Sequence, residues 1–414
     1  MEDQKPKVVF AFVEAGLGHI MPMNAICKAF ERKYGGVTEI VKTAFFKDKL
    51  NPDMKFVEDE LVAEVKRHNK SKFYGFMQFF LMRLTGARTS MKYLMEKRYK
   101  KGFAPSLDYI KELDARVIVN THFSTMYYAC EARALGLINA KVITYVPDPI
   151  IGRQWDSRAD LVGLSSFAGE RAALMGGRFT QNQLAVIPFL IREEVKDMTE
   201  GRRYYRKLTG LPEDNFTVLL ADGAYGAGKL RDTVLALMKS KLKMTVVAVC
   251  GKNERLYKEF CGLKPPENIH FAPFGFTDKM LTLAACCDLF VGKAGASNLA
   301  EPSYFGAPSI VTFCATPIEK WICAHYVEYA GCAVKRESVK KAVKLIERWV
   351  SEPALMEPYR EACKSQQRYD GAEIFADIIW QRLNEPVKGN NGYSVSRIAA
   401  FKNRVGYRRS RRNV

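Results

Sequence analysis

Three strand ends in this chain carry side chains able to do chemistry. The first is Glu14-Ala-Gly-Leu-Gly-His19, where an imidazole follows a glycine turn. Imidazole is the side chain whose ordinary pKa lets it exchange protons near neutral pH. The second is Pro147-Asp148-Pro149, a carboxylate closing an apolar run. The third is Val291-Gly-Lys293-Ala-Gly-Ala296-Ser297-Asn298-Leu-Ala-Glu301, small residues between a strand and a helix. A helix start offers free N–H groups and the positive end of its dipole, which suits a phosphate. Ser297 or Asn298 is the expected cap. Glu301, about one turn further, has the reach for a sugar hydroxyl beyond the phosphates. Each feature also has a plainer reading: a solvated histidine, a capping aspartate, an ordinary strand–helix join.

Such residues need strands that end where they stand. Lys7 to Val13 is a continuous apolar run, expected as a strand buried on both faces and followed by a helix. Gly16 and Gly18 fit a dinucleotide turn, but Met21 stands at the third glycine position. Further strands are expected at Ala115–Asn120, Ala140–Val146, Leu161–Leu164 and Leu184–Phe189, with helices between. The pattern restarts at Phe216–Ala221, with strands at Met244–Cys250, Ile269–Ala272, Leu289–Val291 and Ser309–Phe313. Helices from Ser338 to Val350 and from Glu357 to Leu383 close the series. Asp222-Gly223-Ala-Tyr-Gly-Ala-Gly-Lys229 resembles a P-loop, but Leu230 stands where a magnesium-binding Ser or Thr is needed, so a P-loop is rejected. Two strand–helix series end to end predict an α/β protein of two Rossmann-like domains facing across a cleft.

Residues 55–103 interrupt this rhythm. Phe73, Phe76, Met77, Phe80, Leu81 and Leu84 form a helical stripe, and Lys70, Lys72 and Arg83 belong to a run from Lys66 to Lys101 whose sole acid is Glu96. One reading is a core helix with a solvated basic face; the other is an amphipathic helix lying in an anionic membrane surface, which the lopsided charge favours. The tail from 386 is basic as well. The whole chain of 414 residues carries a net charge of +19, which points to an anionic partner: an acidic lipid surface, a phosphorylated substrate or, as the distant alternative of a nucleic-acid-binding protein, nucleic acid. Ten cysteines without C-x-x-C spacing suggest free thiols. Neither a signal peptide nor a membrane-spanning run is expected, and no motif for reading nucleic acid is seen.

The span from Val8 to about Val350 resembles the GT-B glycosyltransferases of family 28, the type of the monogalactosyldiacylglycerol synthases, diacylglycerol glucosyltransferases and lipid II synthases. The strongest motif is V-G-K-A-G-A-S-N-L-A-E-P-S-Y-F-G-A-P-S-I, similar to a family segment that wraps the diphosphate and ribose of a UDP-sugar. That resemblance implies diphosphate contacts from Lys293, Ala296, Ser297 and Asn298, and ribose contacts from Glu301. It implies sugar contacts from Glu319 and Lys320, with Ile318 replacing a polar residue. Phe276 and Thr277 resemble the segment holding uracil, Gly223 falls on the family's second glycine loop, and Arg192 on its arginine. Gly16 and Gly18 match the first turn, and His19 lands on a histidine that contributes to catalysis; Asp148 aligns as its orienter or as the base itself.

The implied layout is an acceptor- and membrane-binding domain over 1–190, a UDP-sugar domain over 191–385 and a basic tail over 386–414. The implied reaction is inverting transfer of glucose or galactose from UDP to diacylglycerol, or to a polyprenyl-linked or other lipid. Lys70, Lys72, Phe73, Phe76, Met77, Phe80 and Arg83 would meet an anionic phospholipid membrane at its cytoplasmic face. No cofactor, no metal and no nucleic-acid partner are expected.

Overall fold

In a computed structural model of the chain, residues 5–14, 17–70, 77, 80, 91–223 and 228–386 are described, apart from the side chains of 17, 65, 66 and 68–70. The chain forms two compact units, Met1–Arg192 with Asp370–Val414, and Glu193–Tyr369.

In the first unit the order is β1 (Lys7–Phe12), α1 (Leu17–Tyr34), β2 (Glu39–Ala44), α2 (Pro52–Lys70) and α3 (Lys100–Glu112), then β3 (Val117–Asn120) and α4 (Phe123–Ala134). β4 (Lys141–Tyr145), β5 (Leu161–Leu164), α5 (Phe167–Met175) and β6 (Leu184–Val186) follow. The six strands lie in the order β2-β1-β3-β4-β5-β6, and every neighbouring pair is parallel. β1, β3, β4 and β5 are almost wholly buried, because helices cover both faces of a parallel sheet. β2, absent from the strands expected from sequence, is an edge strand whose run E-I-V-K-T-A is broken by charge.

The second unit contains α6 (Arg202–Leu208), β7 (Thr217–Ala221), α7 (Leu230–Leu237), β8 (Met244–Val249), α8 (Glu254–Cys261), β9 (Ile269–Phe274) and α9 (Met280–Cys286). It continues through β10 (Leu289–Lys293), α10 (Ala296–Tyr304), β11 (Ser309–Phe313), α11 (Pro317–Ala324), β12 (Ala333–Lys335), α12 (Val339–Ser351) and α13 (Glu357–Lys364). Its sheet runs β12-β11-β10-β7-β8-β9, again all parallel.

In both sheets the first strand sits inside the sheet, and the strand order reverses beside it: at β1/β3 in one unit and at β7/β10 in the other. Ligands of open α/β sheets bind outside the carboxyl ends of strands at this reversal. Gly292 on β10 permits the close pairing at the second reversal, since a Cβ there would lie 2.0 Å from the Ala221 carbonyl oxygen.

The segment Glu357–Leu383, expected as one helix of the second domain, is two helices, and the second is α14 (Gly371–Asn384) of the first unit. Phe375, Ile379 and Leu383 recur every four residues and are buried in the same core as Val8, Phe10, Ile143 and Tyr145. Gly163 on β5 leaves the space for the Phe375 ring, which a Cβ would approach to 2.5 Å. Tyr34 on α1 stacks on Trp380 with centroids 4.6 Å apart, and Lys33 pairs with Asp377. The second unit therefore ends at Tyr369 rather than at 385, because this apolar face belongs to the first sheet. All ten cysteines are free thiols, and among the described residues no helix is long and apolar enough to cross a membrane.

Candidate functional site

At the β1/β3 reversal, two histidines meet. His19 lies in the first turn of α1, and its Nδ1 is 2.6 Å from the Thr121 carbonyl oxygen just past β3. The Thr121 hydroxyl donates back to the His19 carbonyl at 2.8 Å, so two bonds tie the start of α1 to the end of β3. A carbonyl only accepts, so Nδ1 carries the ring proton and Nε2 keeps its lone pair. Burial holds the His19 imidazole below its usual pKa of 6.5, against the opposing pull of the Thr121 carbonyl. The ring is therefore neutral at pH 7, with a basic nitrogen available.

The second histidine is His122, whose ring lies 4.6 Å from that of His19 at an interplanar angle of 77°. His122 caps α4, its Nδ1 accepting the Ser124 N–H at 3.3 Å. Burial, then the charge that His19 would carry, hold its pKa well below 6.5. Sequence reasoning passed over both Thr121 and His122, although a histidine at a strand's carboxyl end is the same signal that marks His19. The Nδ1 partner of His19 is the Thr121 carbonyl. Asp148 is half-buried one strand further along, beyond β4. Its charge, after burial, helps push up the Tyr145 phenol.

The second unit gathers a different set at β7/β10. Asp222, directly after β7, is buried and caps α7 by accepting the Leu230 N–H at 2.7 Å. Burial pushes its carboxyl up, opposed by the α7 amide and by the Lys293 charge. Gly223 follows with φ of +77°, a left-handed turn that suits glycine. Lys293 ends β10 and forms an ion pair with Glu319 at 2.7 Å, the two side chains being 14% and 13% exposed. The other Glu319 oxygen accepts the Ala315 N–H at 2.5 Å, and Thr316 caps α11 by accepting the Glu319 N–H at 3.2 Å. Lys293 and Glu319, expected at different parts of one donor, are thus joined to each other.

The cap of α10 is Gly295, in extended backbone, and no side chain caps this helix. Ser297 and Asn298 fall inside its first turn instead of capping it. The amides of Ala296, Ser297 and Asn298 consequently have no partner within the helix. Glu301 is buried in the second turn. Phe276 is 62% exposed with the Lys252 ammonium 5.3 Å from its ring centre, and Thr277 beside it is half-buried. Lys320 is exposed and Ile318 half-buried. Arg192 closes the first unit and is half-buried; Gly18 is exposed in α1. Lys229 hydrogen-bonds the Glu337 carbonyl, a use unlike that of a P-loop lysine. Met77 and Phe80 are exposed. Gly16, Lys72, Phe73, Phe76, Arg83, the loop 224–227 and the tail from 387 lie outside the described residues, as does the Lys70 side chain.

Residues 217–319, which run from β7 through the Lys293–Glu319 pair, match the model of the glycosyltransferase family 28 C-terminal domain. The second unit carries a glycosyltransferase family 28 C-terminal domain. A probable chloroplastic monogalactosyldiacylglycerol synthase of Glycine max is 26% identical over 178 residues, 41% of this chain and 33% of that protein. A UDP-N-acetylglucosamine–N-acetylmuramyl-(pentapeptide) pyrophosphoryl-undecaprenol N-acetylglucosamine transferase of Caldanaerobacter subterraneus is 26% identical over 207 residues, 46% of this chain and 54% of that protein. The match thus spans between a third and just over half of these relatives' length. The crystal structure of Acinetobacter baumannii MurG superposes with a TM-score of 0.61 at 13% identity, over 91% of this chain and 100% of that one. The family 28 domain therefore sits in a chain of GT-B fold, built on two parallel six-stranded sheets.

Proposed function

We propose that this protein transfers glucose or galactose from a UDP-sugar to the hydroxyl of diacylglycerol, with inversion at the anomeric carbon, on an anionic membrane surface. The observation that carries the reading is the neutral His19, tied through Nδ1–H to Thr121 so that Nε2 is left as a base. Nε2 takes the acceptor's proton as its oxygen attacks the anomeric carbon, and the bond to the diphosphate breaks with the electron pair leaving on UDP. Asp148, at the carboxyl end of the neighbouring strand β4, is the alternative base or the orienter of His19. In the family 28 domain, the first-turn amides of Ala296, Ser297 and Asn298, with Lys293, receive the charge on the departing diphosphate. No metal is assigned to that step. Glu301 takes the ribose hydroxyls, Phe276 and Thr277 the uracil, and Glu319 with Lys320 the sugar; Gly18, Gly223 and Arg192 complete the donor contacts.

Met77 and Phe80, exposed amid a lysine- and arginine-rich sequence, support docking on acidic lipid. In this reading the protein acts as a peripheral enzyme on the cytoplasmic face of the membrane. The likeness to the undecaprenol-linked transferase supports a second reading, in which the same chemistry serves a polyprenyl-linked sugar. Incubation with labelled UDP-glucose or UDP-galactose and diacylglycerol, in anionic or neutral vesicles, tests both. A glycosyl-diacylglycerol formed faster on anionic vesicles is the expected product. Transfer only to a polyprenyl-linked acceptor would select the second reading, and transfer to no lipid would reject both.

A further inference from the structure

Among the described residues, His19 makes one ring hydrogen bond, through Nδ1 to Thr121. A single bond leaves an imidazole free to rock about the axis through that nitrogen, and Nε2 swings with it. What stops the motion is His122, whose ring packs against that of His19 at 4.6 Å and 77°. His122 is itself held on two further sides. Its Nδ1 accepts the Ser124 N–H at 3.3 Å and meets the Ser124 hydroxyl at 2.7 Å, and the Phe123 ring lies 4.2 Å from it on another side. It is 3% exposed.

The capping bond also decides the proton's place. A backbone N–H only donates, so Nδ1 of His122 is bare and its ring proton is on Nε2. His19 holds the opposite tautomer. Protonating His122 would need a proton on Nδ1 and would break the cap of α4, besides burying a charge beside His19. Thr121 and His122 are the groups that act on the His19 ring from β3 and α4. The charges exchanged between α1 and α14 (Arg32 with Glu373, Lys33 with Asp377) are at the far end of α1.

We propose that His122 is the positioning residue of His19: an uncharged ring, clamped by its own capping bonds, that fixes the His19 imidazole with Nε2 presented to the acceptor hydroxyl and leaves the proton to His19 alone. The inference rests on the reading of His19 as the base.

The test uses the full chain labelled with ¹⁵N-histidine, in wild type and in His122→Asn, His122→Ser and His19→Asn. Asn and Ser both cap helices well, so these changes keep the α4 cap while removing the ring. In the wild type, the nitrogen shifts report Nδ1–H for His19 and Nε2–H for His122; the reverse tautomers overturn the proposal without any variant. Loss of the ring is expected to lower kcat about 10- to 100-fold, the effect of a misplaced base, with KM for the UDP-sugar within about twofold, since the ring packs on His19, Phe123 and Ser124, none of which is assigned to the donor. The His19 titration midpoint is expected to rise toward that of a solvated histidine as water reaches the ring. A merely structural His122 would lower the melting temperature and leave kcat and the His19 titration unchanged, and that result overturns the proposal. His19→Asn separates the two claims. If it stays fully active, the base assignment fails. If it is inactive while both His122 variants behave as wild type, only the positioning role fails.

Discussion

Replacing Glu319 by Gln isolates one charge in the family 28 domain. Lys293 Nζ lies 2.7 Å from Glu319 Oε1, and the pair is largely buried. Glutamine keeps the shape and an oxygen for the Ala315 N–H, so the start of α11 is preserved and only the charge is lost. At an effective dielectric of about 20, opposite charges at that separation attract by roughly 6 kcal/mol before desolvation offsets most of it. Leaving Lys293 without this partner should cost about 3 kcal/mol of stability. The same uncompensated ammonium should hold a diphosphate more tightly. If only about 1.4 kcal/mol of the released attraction is felt by the ligand, UDP binds roughly tenfold tighter. Calorimetric titration with UDP reads this directly. Glu319→Gln should tighten UDP about tenfold, Lys293→Met should weaken it at least as much, and the double variant should follow Lys293→Met. Transfer should still slow in Glu319→Gln, because tighter UDP release becomes limiting. UDP affinity in Glu319→Gln within twofold of wild type, or unchanged in Lys293→Met, would refute the placing of Lys293 at the diphosphate.

Four further outcomes are expected. Because burial lowers the pKa of His19 and the neutral form is the base, kcat/KM should stay level down to pH 6.5 and fall only below it; an acid limb centred at or above pH 7 rejects the assignment. His19, His122 and His325 all have folded pKa values below the unfolded 6.5, His325 by burial at about 4, so their neutral forms stabilise the fold above pH 6.5 and that stability is lost as pH falls through the folded values. Urea midpoints at pH 7 and pH 4.5 should differ, with His325→Gln recovering about 2 kcal/mol of the loss, and an equal loss in that variant counts against its burial. Gly292→Ala puts a methyl 2.0 Å from the Ala221 oxygen, so it should lower stability by about 3 kcal/mol in a thermal melt; an unchanged melt contradicts the β7–β10 register. Phe276→Ala, at a 62% exposed ring, should leave the melting temperature alone and raise KM for the UDP-sugar about tenfold, the scale of one lost base stack; an unchanged KM removes Phe276 from the site.

Much of the strand–helix order was legible because strands buried on both faces read as unbroken apolar runs, as in V-V-F-A-F and T-V-L-L-A. β2 was illegible for the converse reason: an edge strand tolerates charge, and E-I-V-K-T-A loses the signal. The period-four face of Phe375, Ile379 and Leu383 marks a helix but not the sheet that receives it, and α14 accordingly returns to the first unit. His19 stood out as a histidine behind a glycine turn. Its partner Thr121 is 102 residues away, and local spacing carries no information on such a pair.

The chemistry available at each strand end was determined by sequence alone: an imidazole after β1, a lysine and a small-residue helix start after β10, a glutamate in the first turn of α11. Residue type and short-range spacing are enough for that, because turns, caps and helix starts form between neighbours in the chain. The tertiary structure decided which of these ends meet. Pairing of β1 with β3 and of β10 with β7 brings His19 to Thr121 and His122, while α11 docking joins Lys293 to Glu319. Tautomer, protonation state and ion pairing followed from that packing, because each depends on which atoms exclude water from a group and which accept its proton.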